Sequence, residues 1–285
     1  MKEITSPVLR YHGGKFRIAP WVIEHFPPHR TYVEAFGGAA GVLTRKKPAI
    51  SEIYNDMDGE IVNVFRVLRN PEQAEQLSKM CALTPYARDE FDLSQLKSDD
   101  PVEQARRTLF RAWASFGSAG ATRGRSGMRT FMKPDGKALN TPRAWRRLPD
   151  MLGLLTERFS NVLIENRPAI DVMKQHDGPE TLHYVDPPYL PETRSVGSTR
   201  YYRHEMTVDD HLQLLDAIKS LSGFVIVSGY ESGMYDDALP GWTRVGLSTS
   251  GSSRMGSVQR TECLWLSPRT AEQQPQQDIF MGATA

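Results

Sequence analysis

The chain has 285 residues, 35 basic against 34 acidic side chains, 39% hydrophobic and 24% charged content, the composition of a soluble globular protein able to bury a sizeable core. No apolar run approaches the roughly 18 residues of a membrane span, and the N-terminal MKEITSPVLRYHGGK lacks a hydrophobic signal core, so a cytoplasmic protein is expected. Cys81 and Cys263 stand far apart and outside any CxxC or mixed Cys/His spacing, which argues against a disulfide framework and a zinc site.

In chain order, RYHGGK places Lys15 behind a glycine pair, where a long ammonium can meet a carboxylate. TYVEAF reads as a buried strand, GGAAGVLTRK as a glycine-rich turn opening a helix, and AISEIYND as a second strand ending on acids. Small residues between a strand and a helix N-terminus let a ligand approach the backbone closely. Asp56 follows Gly38 by 18 residues, near the spacing of roughly 20 at which an acid meets ribose hydroxyls in nucleotide-binding sheets. No GxxxxGK[ST] run is present, so a nucleoside-type ligand carrying a carboxylate fits better than a triphosphate.

A helix is predicted over about residues 58 to 69, and residues 71 to 158 are mainly helical, interrupting the alternation of strands and helices. Residues 48 to 105 are acidic. Residues 106 to 147 carry eleven Arg or Lys against one acid, Asp135. That asymmetry is the signature of a phosphate-facing surface, unless the run is only a solvated face. Within it lies SFGSAGATRGRSGMRTF, a Gly/Ser-rich loop whose Arg123, Arg125 and Arg129 are placed to enter a groove.

Downstream, NVLIEN reads as a strand, AIDVMKQH as a short helix, TLHYVDPP as a strand ending on an acid and two prolines, and TVDDHLQLLDAIKSL as an amphipathic helix. Thr207 and Asp210 form its capping signal. GFVIVSGY and TECLWLSP are the last strands. Between the DPP turn and the capped helix, PETRSVGSTRYYRHEM offers Arg200 and Tyr202 either as an exposed loop or as an element that orders on a nucleic acid. SGSSRMGSVQR reads as a second mobile segment, and residues 271 to 285 as a disordered tail. The alternation predicts an α/β fold, a doubly wound, mostly parallel sheet with a helical insertion.

RYHGGK, VEAFGGAAGV, YNDMD and YVDPPYL, in that order, resemble the Dam-type (D12 class) DNA adenine-N6 methyltransferases, particularly their phage and prophage branch, across about residues 8 to 268. DPPY is the most specific of these motifs. The resemblance implies S-adenosylmethionine as methyl donor, S-adenosylhomocysteine as product, double-stranded DNA as substrate, and no metal, membrane or obligatory protein partner. It implies a nucleoid-associated enzyme in a bacterium or a phage-infected cell. Residues 1–70 and 159–270 would form the two parts of the catalytic domain, with 71–158 as an inserted target-recognition domain.

Residue by residue, the resemblance assigns Tyr11 and Lys15 to the N-terminal cofactor motif, Phe36 and Gly38 to the glycine loop, Asp56 to the ribose, and Asp186 to catalysis beside the cofactor's methionine end. Ala39 and Ala40 replace a later glycine of the family pattern. The adenine amine is a poor nucleophile because its lone pair is delocalised into the ring. Asp186 and the Pro187 carbonyl can each accept one of its N–H groups and aim that lone pair. The two prolines stiffen the turn and remove donors. Tyr189 can stack on a base taken out of the duplex. Asn166 and Asp171 stand where adenine-ring contacts or a helix cap are both open. The alternatives are an N4-cytosine DNA methyltransferase, which more often has Ser at the acid's position, an RNA or protein-amide methyltransferase, which commonly has Asn there, and a catalytically weak DNA-binding relative.

Overall fold

The computed structural model describes residues 4–116, 120, 127–130, 141–193, 202–253 and 256–274. Helix α1 (Ala19–Glu24) precedes β1 (Thr31–Glu34) and β2 (Ser51–Asn55), which pair in parallel with Val33 opposite Ile53. Five helices follow: α2 (Gly59–Arg69), α3 (Pro71–Leu83), α4 (Arg88–Leu93), α5 (Pro101–Ala114) and α6 (Thr141–Phe159). Then come β3 (Val162–Glu165), α7 (Ala169–Gln175), β4 (Thr181–Val185), α8 (Val208–Lys219), β5 (Phe224–Tyr230), α9 (Gly233–Ala238), β6 (Thr243–Ser253), β7 (Gly256–Leu266) and α10 (Pro268–Glu272). The seven strands form one sheet in the order β3-β2-β1-β4-β5-β7-β6. The first five are parallel, and β7 runs antiparallel to both β5 and β6.

Local chemistry starts the helices where the sequence places them. Asp58, Asn70 and Asp100 each accept backbone N–H groups of the first turn of α2, α3 and α5, and α3 and α5 begin on proline, whose missing N–H costs nothing there. Thr207 and Asp210 form the reciprocal capping box of α8. Apolar side chains cover both sheet faces. One cluster joins Tyr32 and Tyr54 of the sheet to Phe65, Phe110, Trp145 and Phe159 of α2, α5 and α6. The other packs Val33, Val185 and Val225 against Leu214, Leu215 and Ile218 of α8. The helices between β2 and β3 thus share a core with the sheet. Arg158 at the end of α6 is buried and donates to Glu52 of β2 and to the Leu43 carbonyl.

Two expectations are corrected. The GGAAGVLTRK segment opens no helix but winds through consecutive turns, with Ala40 N–H donating to Gly37 and Thr44 N–H to Ala40. Left-handed φ values at Gly38 (+46°) and Ala40 (+53°) break any right-handed helix there. The second correction concerns residues 250 to 260, read as a mobile segment. Residues 250–253 and 256–260 belong to the β6–β7 hairpin, paired in register from Thr243↔Leu266 to Ser253↔Gly256. Strand β6 is an antiparallel edge, and Val245 and Leu247 are its only apolar side chains, both half-buried. Among the described residues no helix is long and apolar enough to cross a membrane.

Ala40 carries a side chain in a backbone conformation that glycine adopts freely. Replacing it by glycine removes that strain, against a smaller entropic loss in the unfolded chain. Ala40→Gly is expected to raise unfolding free energy by about 0.5 to 1 kcal/mol in urea denaturation; an unchanged or lower midpoint would count against strain at this turn.

Candidate active site

In an open parallel sheet, ligands bind beyond the carboxyl ends of the strands where the strand order reverses. Here that point lies between β1 and β4. A cavity of about 330 Å³ opens there, lined by Tyr11, Phe36, Gly38, Asp56, Ile170 and Asp186 among others, the size of a small-molecule site. Asn55, at the end of β2, ties the neighbouring segments together. Its amide donates to the carbonyls of Ala35 and Arg167, and its oxygen accepts from Arg167 N–H.

The glycine loop is held by Asp56, whose Oδ2 accepts from Gly38 N–H at 2.8 Å and Oδ1 from Asp58 N–H at 2.7 Å. Burial pushes its carboxyl up to about 6, although both bonds pull the other way. Asp58 caps α2 and pairs with Arg203 at 3.1 Å, while its Oδ2 is buried with no partner among the described residues. The close approach that glycine permits in this loop is made by the protein itself. A Cβ on Gly38 would lie 2.8 Å from the Tyr11 ring, and one on Gly41 2.6 Å from Phe16 N. The RYHGGK segment is therefore packed onto the loop.

Asp186 follows β4 on the cavity wall. Lys15 Nζ lies 2.9 Å from its Oδ1, 3.4 Å from Glu262 Oε1 and 2.9 Å from the Gly13 carbonyl that accepts from it. Burial works against the Lys15 charge, but Asp186 and Glu262 outweigh it and hold its pKa well above that of an ordinary lysine. Ser228 Oγ donates to the same Asp186 oxygen at 2.7 Å and accepts from the Tyr184 hydroxyl at 3.2 Å. Lys15, expected against a cofactor carboxylate, thus directs its ammonium at protein groups. Tyr189, expected to face a base, is turned inward: its hydroxyl donates to Glu262 and its ring is 9% exposed. Pro187 is buried, and Pro188 lines the cavity.

The remaining expected residues divide. Tyr11, Phe36, Gly38 and Asp56 meet at the cavity. Tyr202 does too, standing 6.2 Å from the Tyr11 ring centroid and 5.7 Å from that of His12. Asn166 donates to the Asp56 carbonyl, and Asp171 sits in the first turn of α7; neither is on the wall. Arg123, Arg125 and Arg200 lie outside the described residues. Arg129 is half-buried, its backbone N–H donating to Ala114 and its carbonyl accepting from Tyr86.

Three members of the basic run are paired within the protein, with Arg106 and Arg111 buried and Arg107 half-buried. Arg106 pairs with Glu90 and Glu103, Arg107 with Glu103, and Arg111 with Glu60. Their acids lie before residue 106, so a composition window drawn at 106 separates each cation from its partner. Sequence reasoning also left Glu34, Ser228 and Glu262 without roles. The one signal for Glu262 is an acid inside the apolar run TECLWL.

A sequence model described as "D12 class N6 adenine-specific DNA methyltransferase" matches residues 11–238. The chain is 24% identical over 247 residues to the type II methyltransferase M1.LlaDCHI of Lactococcus lactis subsp. cremoris, covering 81% of this chain and 83% of that one. It is 23% identical over 243 residues to the type II methyltransferase M.MjaIII of Methanocaldococcus jannaschii, with coverages of 76% and 80%. It is 24% identical over 224 residues to the DNA adenine methylase of Escherichia coli K12, with 75% of each chain covered.

Glu34 supplies a test of the electrostatics at the cavity floor. It is 2% exposed, and its Oε2 accepts from the Tyr32 hydroxyl at 2.6 Å and from Leu43 N–H at 2.9 Å. Burial pushes its carboxyl from an ordinary 4.5 up to about 8, against the pull of those bonds. Between those values the folded state keeps a proton that the unfolded chain releases, so stability is lost as pH rises across the window. Relative to Glu34→Gln, which is always neutral, wild-type unfolding free energy should decline by up to about 1.4 kcal/mol per pH unit between pH 5 and 8. Parallel denaturation profiles would show that Glu34 does not change protonation there.

Proposed function

The chain belongs to the D12 class of N6-adenine-specific DNA methyltransferases, and on that footing we propose that its cavity binds S-adenosylmethionine and that Asp186 accepts an N–H of the amine of an adenine extruded from double-stranded DNA. S-adenosylhomocysteine leaves as product, and no metal or protein partner is required. Adenine is favoured over N4 of cytosine by the family itself.

The observation that carries this reading is the asymmetry of Asp186. Both donors to its carboxylate, Lys15 and Ser228, reach Oδ1. Among the described residues none reaches Oδ2, which leaves that oxygen for the amine. The carboxylate is fixed before substrate arrives, so no reorganisation is needed at the moment of reaction. The Pro187 carbonyl takes the second N–H, and the DPPY prolines hold both acceptors in one stiff turn.

The cavity's donor set fits a nucleoside. Asp56 keeps a free lone pair on each oxygen, and the unpartnered Oδ2 of Asp58 is a further acceptor for sugar hydroxyls. Phe36 and Ile170 offer apolar surface to a purine, beside Tyr11. When bound, the cofactor supplies an electrophilic methyl group on a sulfonium. Residues 71–158 carry target recognition, with Arg123, Arg125, Arg129 and Arg200 divided between phosphates and base edges. Tyr202 serves the cavity and the DNA side together. Lys15 acts through Asp186 instead of through the cofactor carboxylate.

The test is methyl transfer to unmethylated genomic DNA, read by mass spectrometry of the digested nucleosides. Wild type is expected to yield N6-methyladenine, and Asp186→Ala to lose about a thousandfold in rate while remaining folded. Asp186→Asn, which keeps an acceptor oxygen without charge, should fall between them. Near-normal turnover in a folded Asp186→Ala protein would remove Asp186 from the chemistry.

A further inference from the structure

Glu262 lies on β7 opposite Tyr230 of β5 and Leu247 of β6. It is 6% exposed, and burial pushes its carboxyl up, with Lys15 and Tyr189 pulling the other way. An acid in such a place is destabilising unless its partners compensate. Its Oε1 accepts from the Tyr189 hydroxyl and lies 3.4 Å from Lys15 Nζ. The same ammonium stands 4.7 Å from the centre of the Tyr189 ring. That ring meets Tyr230 edge-on, with centroids 4.7 Å apart. One lysine therefore faces two carboxylates, the half-buried Asp186 and the buried Glu262, where charge balance alone calls for one.

We propose that Glu262 is a positioning residue for methyl transfer, fixing the Lys15 ammonium and the Tyr189 hydroxyl together so that Lys15 meets Asp186 through Oδ1 alone. The inference rests on the reading of Asp186 as the amine's acceptor. Lys15 has three N–H donors; it donates to the Gly13 carbonyl and forms ion pairs with Asp186 at 2.9 Å and Glu262 at 3.4 Å, so three acceptors surround it. Without Glu262 one donor is released beside Asp186, where it competes with the amine for Oδ2. Tyr189, three residues along the same turn, loses the acceptor that sets its ring. Fully satisfied buried networks hold a reacting group to a single geometry, and partly satisfied ones do not.

Glu262→Gln and Tyr189→Phe, singly and combined in the full chain, test this with unmethylated genomic DNA as substrate. Glu262→Gln is expected to lower the single-turnover rate about 30-fold at saturating S-adenosylmethionine, with KM for cofactor and DNA within about threefold of wild type. A purely structural role would instead move the melting temperature and both KM values. The double variant should be no more than about threefold slower than Glu262→Gln, because both act through one contact. A wild-type rate in Glu262→Gln alongside an inactive Asp186→Ala overturns the role of Glu262 and leaves that of Asp186 standing. Losses that multiply in the double variant overturn the shared action. A rate indifferent to both Asp186→Ala and Glu262→Gln overturns the reading of the site, and this inference with it.

Discussion

The buried ammonium of Lys15 is the constraint on which the rest of the site depends. A lysine with its side chain 7% exposed must bond all three of its N–H groups. The acceptors come from three distant parts of the chain: Gly13 in the N-terminal segment, Asp186 after β4, and Glu262 on β7. For Gly13 and Lys15 to arrive there, the N-terminal segment must lie across the glycine loop, which is why Gly38 and Gly41 have no room for a Cβ. For Glu262 to arrive, β7 must run antiparallel beside β5. The mixed sheet and the glycine loop are thus two requirements of one charge cluster.

A second set of ion pairs connects the helices between β2 and β3 to the cavity. Glu60, in the first turn of α2, receives Arg111 of α5 at 2.5 Å and Arg203 at 2.9 Å, and Arg203 also reaches Asp58 at 3.1 Å. Next to Arg203, Tyr202 stands over Gly13 and beside Tyr11. Exposed ion pairs contribute little, but Arg111 is 5% exposed, and a buried pair is strongly destabilising to break. The start of α2 and the basic helix α5 are accordingly fixed to one another, and Arg203, about a third exposed, joins the segment from 202 to 206 to them. Positive charge that composition assigns to an outer surface holds the interior together in part.

Much of the fold was legible because its signals are local. Alternating strands and helices, the cap at Thr207, and the DPPY turn each need only a short stretch of chain. Asp56 was legible as a cavity residue because a fixed sheet geometry sets its distance from the glycine loop. What the sequence hid depends on partners far along the chain. Arg106, Arg107 and Arg111 look like phosphate ligands until Glu90, Glu103 and Glu60 are placed beside them. Tyr189 looks available for stacking until Glu262, distant in sequence, accepts its hydroxyl. The β6 strand escaped because its apolar period stops after Val245 and Leu247, and Ser228 because a serine in a buried strand has no pattern of its own.

The central claim is that Lys15 orders Asp186 and does not bind the cofactor carboxylate. Calorimetric titration of S-adenosylmethionine into Lys15→Gln, paired with its single-turnover rate at saturating cofactor, separates the two roles. The account predicts a dissociation constant within about threefold of wild type and a transfer rate lower by about a hundredfold or more. A variant that binds the cofactor far more weakly, yet transfers the methyl group at the wild-type rate once saturated, would contradict it.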